Sequence, residues 1–218
     1  MIASFHVTHS LFIQFIMHDV TYSKDSTEDP IEVPMPVDET EYPLNTSFKV
    51  RRTASDPATG NSTGNPRQIL NYATTWIDLS ALYGSTREVA LKLRSFKGGK
   101  LLTQMSTHMD HLGEYLPFNT MDVPTNMKPG DKAEDLFAGG DARTNEDWIL
   151  LAVHTLLLRE HNRLCGILAK KHPEYDDEQL YQTVRLILSA KYALIANSYQ
   201  MAYWTKEMSW PRDDGKLS

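Results

Sequence analysis

Residues 144–168 read TNEDWILLAVHTLLLREHNRLCGIL, and this stretch decides the fold. Thr144 and Asn145 suit a helix N-cap, because their side-chain oxygens accept from the unpaired N–H groups of a first turn. Glu146 and Asp147 suit that first turn, where the helix dipole favours negative charge. Ile149, Val153, Leu156, Leu157, Leu164 and Leu168 then recur with a helical period. Pro173 ends the run, and Asp176-Asp177-Glu178 opens a second helix predicted to reach about residue 203. Long helices in succession predict a mainly α fold.

Outward from this pair the chain is less regular. Residues 8–18 predict another helix, with Leu11, Phe12, Phe15 and Ile16 on its apolar side. Residues 24–68 hold Pro30, Pro34, Pro36, Pro43, Pro57 and Pro66, together with a Thr-Gly-Asn-Ser-Thr-Gly run. That composition predicts a loop-rich excursion within a domain covering residues 1–218. A shorter helix is predicted over Arg87–Phe96, stopped by Gly98-Gly99. Residues 100–141 are irregular, with Pro117, Pro124, Pro129 and Gly139-Gly140. The expected fold is helices joined by long irregular loops, with few or no strands.

Composition removes several functions. The 218 residues carry 22 basic against 28 acidic side chains, a net charge of −6 with His neutral, which argues against nucleic-acid binding through a basic surface. Cys165 is the single cysteine, so no disulfide within the chain and no cysteine-based metal site is possible; a packed, unreactive thiol is expected. The apolar run Leu11–Met17 is too short to span a membrane, and Met1–Ser10 lacks the basic start of an export signal. Sequons at Asn45 and Asn61 are the only hint of secretion, and such triplets recur by chance.

Four groups of polar residues stand out. Gln14 and His18 share one helix face, and Asp19 follows directly. Thr74, Asp78 and Ser80 alternate in TTWIDLS, with the Trp76 carbonyl between them. In an extended loop these oxygens would line one side and suit Ca²⁺, with Asp19 as a second carboxylate, although spacing alone favours an ordinary turn with Ser and Asp hydrogen bonds. Arg143 and Glu146 precede the long helix; taken alone, a surface arginine and a capping or dipole carboxylate explain them better than a site does. His154 and His161 lie seven apart on one helix face, a spacing that fits no simple metal pair and favours core packing and helix-to-loop salt bridges.

Taken together and in this order, QFIMHD (14–19), TTWIDLSALYGS (74–85), GDARTNE (140–146), HTLLLREHNRL (154–164) and DEQLYQ (177–182) resemble the animal-type haem peroxidases of the peroxidase–cyclooxygenase superfamily. The likeness covers about residues 8–204. It implies haem b and Ca²⁺ as cofactors, with H₂O₂ and a small reducing substrate (phenol, halide or fatty acid) as partners. His18 would be the distal acid–base histidine, Arg143 the distal cation, and Gln14 a residue ordering water or a halide. Asp19, Thr74, the Trp76 carbonyl, Asp78 and Ser80 would hold Ca²⁺. Glu146 matches a position that forms an ester with the haem in part of the family. Met17 stands where vertebrate members often carry an Asp for a second ester, so that link cannot form. The family's proximal histidine lies well beyond residue 203, whereas the last histidine here is His172. The expectation is therefore a partial haem peroxidase fold, its distal portion, ending before the iron ligand, binding haem weakly and showing little or no turnover alone. Two other readings are a cyclooxygenase-like fatty-acid dioxygenase, and a non-catalytic binding or adhesion module.

Overall fold

The structure, a computed structural model, describes residues 7–26, 28, 30–36, 46–105 and 113–207. Pro43, Asn45 of the first sequon and the C-terminal residues 208–218 lie outside the described residues. Two compact units separate: residues 1–20 with 74–218, and residues 21–73.

The first unit is helical. It comprises α1 (Val7–Val20), α2 (Ser80–Tyr83), α3 (Arg87–Lys92), α4 (Trp148–Lys171) and α5 (Asp177–Glu207), with a two-stranded pairing of β3 (Gln104–Met105) and β4 (Glu114–Tyr115). α4 and α5 pack on each other, and α1 lies on both. The spacing of buried residues explains why. On α4, Leu150, His154, Leu157, Leu158, His161 and Cys165 form one buried stripe. On α5, Tyr181, Val184, Leu188, Tyr192 and Ala196 form another. Phe15 of α1 is fully buried, edge-on to His154 at 4.8 Å and to Tyr192 at 5.7 Å. Each such apolar side chain contributes about 1.5–3 kcal/mol by leaving water, so the interlocking stripes outweigh the irregular connections.

The ends of the predicted elements shift for identifiable reasons. The helix after Arg87 stops at Lys92, because Leu93 and Ser95 turn away to pair with Leu102 and Lys100 across the Gly98-Gly99 turn, in which Phe96 takes a left-handed φ of 55°. Gly99 itself sits at φ 71°, and a Cβ there would fall 2.6 Å from Leu180 Cβ. Its N–H donates to Asp177 Oδ1 at 2.7 Å, while buried Arg94 donates to Asp177 Oδ2 at 2.7 Å and pairs with Glu178. The start of α5 is thereby tied to the α3 loop by charge-assisted bonds. α4 begins at Trp148, not at Glu146, and Asp147 is its cap.

The second unit is more ordered than the loop-rich expectation. β1 (Ile31–Pro34) and β2 (Ser47–Val50) form an antiparallel pair in the register Ile31 to Val50 and Pro34 to Ser47. Isolated bridges join Asp25 to Thr53 and Ser55 to Ile69. Every residue of the two strands is exposed, and the apolar alternation Ile31/Val33 and Phe48/Val50 lasts only four residues in each strand, too short to stand out among the surrounding prolines. Among the described residues no helix is long and apolar enough to cross a membrane.

Candidate functional site

Two loops meet α1 at its C-terminal end. The first is residues 74–80. It does not run extended, as the alternation suggested; it curls, and Leu79 is fully buried at a left-handed φ of 63°. Curling brings more oxygens together than alternation would. Thr74 Oγ1 lies 3.0 Å from Asp78 Oδ1, 3.1 Å from Ser80 Oγ and 3.4 Å from the Trp76 carbonyl. Ser80 Oγ lies 3.0 Å from both the carbonyl and Oδ1 of Asp19. Trp76 contributes only its backbone, and its indole is exposed. All five residues expected to hold calcium thus converge.

Asp19 fixes this loop to α1. Its fully buried carboxylate accepts from the N–H groups of Leu79 (3.0 Å) and Ala81 (2.9 Å). Burial nonetheless raises its pKa to about 6, because those N–H bonds do not offset desolvation and the neighbouring Asp78 charge adds to it. A cation among these oxygens would relieve that cost. The six oxygens, two of them from carboxylates, fit Ca²⁺ in kind and in number. Among the described residues no trio of His, Cys, Asp or Glu gathers elsewhere as a competing metal site.

The second loop is residues 139–147. Gly140 packs flat against α2, where a Cβ would fall 2.4 Å from Gly84 N and 2.6 Å from the Ala81 carbonyl. A side chain is excluded there. Asp141 follows, buried, and grips Arg143: its oxygens accept from Arg143 N (2.8 Å), Nε (2.9 Å) and Nη2 (2.8 Å). Arg143 Nη2 also donates to the His18 carbonyl at 3.1 Å. Asp141 was not anticipated; the Asp-x-Arg spacing after two glycines was its one visible sign.

His18 closes the group. It is buried, with Nε2 3.5 Å from a Glu146 oxygen and Nδ1 3.8 Å from Asp141 Oδ1. Burial, and then the Arg143 charge, hold its pKa below the ordinary histidine value, so the ring is neutral at pH 7. His18, Arg143 and Glu146 therefore come together from 125 residues apart in the chain. Gln14, one turn earlier and half-buried, hydrogen-bonds the Asp147 carboxylate. The face presented by His18 Nε2 and the exposed Glu146 carboxylate fits the distal side of a haem in kind: an imidazole nitrogen, a fixed cation and a carboxylate at the edge.

His161 takes no salt bridge, against the expectation of helix-to-loop ion pairs. Its Nδ1 meets Tyr83 Oη at 2.8 Å and its Nε2 meets the Gly99 carbonyl at 2.9 Å. The carbonyl can only accept, so Nε2 carries the hydrogen and Tyr83 donates to Nδ1. Cys165 donates to the same carbonyl at 3.2 Å, and burial raises its thiol to about 12, as a packed thiol requires.

With this geometry in view, comparison with known proteins is informative. The family model of the animal haem peroxidases matches residues 3–205. This chain belongs to the animal haem peroxidase family. Peroxinectin A of Dictyostelium discoideum is 33% identical over 183 residues, covering 79% of this chain and 34% of that protein. Chorion peroxidase of Aedes aegypti is 43% identical over 122 residues, covering 55% of this chain and 14% of that protein. In structure, peroxidase A from Dictyostelium discoideum matches with a TM-score of 0.73 at 28% identity, over 85% of this chain and 38% of that one. A fatty acid alpha-dioxygenase of Arabidopsis thaliana matches with a TM-score of 0.62 at 26% identity, over 88% of this chain and 27% of that one. This peroxidase-family chain thus spans well under half the length of these relatives. It has their mainly helical fold.

Proposed function

We propose that this chain supplies the distal side of a haem peroxidase site, which reduces H₂O₂ and oxidises a small second substrate such as a phenol or a halide. The observation that supports it is the convergence of His18, Arg143 and Glu146 beside an oxygen-lined cation site. Haem held here would supply the iron and the electrons for peroxide reduction. The chain's own residues handle protons and charge. His18, neutral and buried, takes a proton from H₂O₂ on Nε2 and returns it to the departing oxygen. Arg143, held rigid by Asp141, faces the negative charge that develops as that bond lengthens. Glu146 is the carboxylate placed to hold the haem edge, by an ester or an ion pair. Ca²⁺ on Asp19, Thr74, Trp76, Asp78 and Ser80 fixes the end of α1, and so the ring next to it.

The test is haem loading followed by peroxide-driven oxidation of a phenol. His18→Ala is expected to lower turnover by about 10²-fold or more. Equal turnover in the variant would remove His18 from the chemistry. A chain that takes up haem without turning over peroxide would leave only a binding role.

A second reading is fatty-acid dioxygenation, favoured by the structural match to the plant alpha-dioxygenase. Oxygen uptake on a fatty acid, in the absence of a phenol, distinguishes the two.

A further inference from the structure

His154 is fully buried on α4, and neither ring nitrogen has a hydrogen-bond partner in the protein. His18 Nδ1 is buried and equally without a partner. Orphaned buried groups of this kind are rare, and three imidazole nitrogens in one region require a common explanation. The two rings belong to one neighbourhood. Phe15, which lies edge-on to His154 at 4.8 Å, is one turn before His18 on α1. The charged and titratable groups that act on His154 are Asp141, His18 and Arg143, all of them at the distal site. Asp141 Oδ1 is 3.8 Å from His18 Nδ1, too far for a direct bond.

We propose that His154 is a positioning residue for His18: a buried water, held by His154, accepts a hydrogen bond from His18 Nδ1–H and fixes the tautomer that leaves Nε2 bare. This rests on the peroxidase reading of His18 and adds to it. A water needs two to four polar partners in a buried site, and His18 Nδ1, His154 and the Asp141 carboxylate supply them. The link has a chemical consequence. A distal histidine can take a proton from peroxide only if the nitrogen facing it carries none. Nothing in the protein contacts of His18 enforces that choice, because its Nδ1 meets no acceptor directly. The water supplies the acceptor, and His154 holds the water. His154 touches no reacting atom in this arrangement; it acts through the orientation and tautomer of its neighbour, as the outer partners of metal-bound histidines do.

The experiment is a long-range ¹H–¹⁵N imidazole spectrum of the full chain at neutral pH, before haem is added. His18 is expected as a single neutral tautomer with its hydrogen on Nδ1. His154→Leu should fill the same space without binding water and convert His18 to a mixture of tautomers. His154→Gln, whose amide can hold the water, should restore the Nδ1–H form. In haem-loaded protein His154→Leu should slow the reaction with peroxide by about tenfold, with His154→Gln close to the unmodified chain. An unchanged His18 tautomer in a folded His154→Leu protein overturns the proposal and leaves the role of His18 in turnover untouched. If His154→Leu does not fold, a water-to-imidazole NOE on the unmodified chain decides. A long-lived water at His154 supports the link, and none there overturns it.

Discussion

Asp78 shows how much one carboxylate can control. Its Oδ1 accepts from both Thr74 Oγ1 and Ser80 N at 3.0 Å, so it holds the curl of the loop as well as offering charge to a cation. Asp78→Ala removes a hard ligand and leaves a hydroxyl and an N–H without their acceptor. The expected outcome is calcium affinity reduced by at least about tenfold, and a thermal midpoint that no longer rises with added Ca²⁺. Because Asp19 neighbours His18, the haem spectrum should change in the same variant. A calorimetric titration with CaCl₂ checks the first effect, and equal affinity in the two proteins would remove Asp78 from the site. These residues were legible in the sequence as types, since hydroxyls and carboxylates sit at short spacing in TTWIDLS. Their convergence was not. It depends on Leu79 adopting a left-handed conformation that buries its side chain, and leucine carries no local sign of that.

At the scale of elements, the start of α4 makes the same point. Thr144, Asn145, Glu146 and Asp147 are consecutive, and three of them can cap a helix. Which one does so is settled by tertiary partners. Thr144 Oγ1 is spent on the Asp141 carbonyl at 2.6 Å, and the Asn145 amide is spent on the Phe137 N–H and carbonyl at 2.9 and 2.8 Å. Asp147 is left to accept from Ile149 N and Leu150 N at 2.9 and 2.8 Å. Asp147→Ala is expected to cost about 1 kcal/mol of stability, and it also releases Gln14 from its partner. Urea denaturation measures the loss; the same midpoint in both proteins would mean that α4 is capped otherwise. The existence of α4 was plain from its apolar period, and that of α5 from the Pro173 stop and the acidic start at Asp176-Asp177-Glu178. The β1–β2 pairing was not, because its apolar alternation lasts only four residues in each strand and the proline-rich stretch around it reads as loop. The gathering of Gln14, His18, Arg143 and Glu146 near one helix end became visible only through the family resemblance. Spacing within one segment says nothing of which segments meet.

Across the helical unit, burial of imidazole sets how stability responds to acid. His154 and His161 are both buried without a carboxylate close enough to compensate, and desolvation lowers each to about 4. In the unfolded chain both titrate near 6.5. Between these values the unfolded state binds protons that the folded state refuses, so each ring destabilises the fold by about 1.4 kcal/mol per pH unit as pH falls. Their contribution is fully present above pH 6.5 and is lost as the pH drops toward 4. Asp19 works in the opposite direction. Its pKa is raised to about 6 from an ordinary 3.8, so the folded state takes up a proton first and gains about the same slope between those values. Two histidines against one aspartate leave a net loss of at least about one histidine's slope below pH 6, and His18, also held below its ordinary value by burial, adds to it. Glu160, lowered to about 2 chiefly by Arg163 and also by Lys191, adds its own loss only once the pH passes below 4.5. Unfolding free energies measured in urea at pH 7.5, 6 and 5 should therefore fall steadily, by about 1–3 kcal/mol in total. His161→Gln, which can still bond Tyr83 and Gly99 without titrating, should be less stable at pH 7.5 but flatter with pH. Histidines that stay protonatable in the folded protein would instead leave the Asp19 effect alone, with stability flat down to pH 6 and rising below it, and that outcome would contradict the buried, neutral state of both rings.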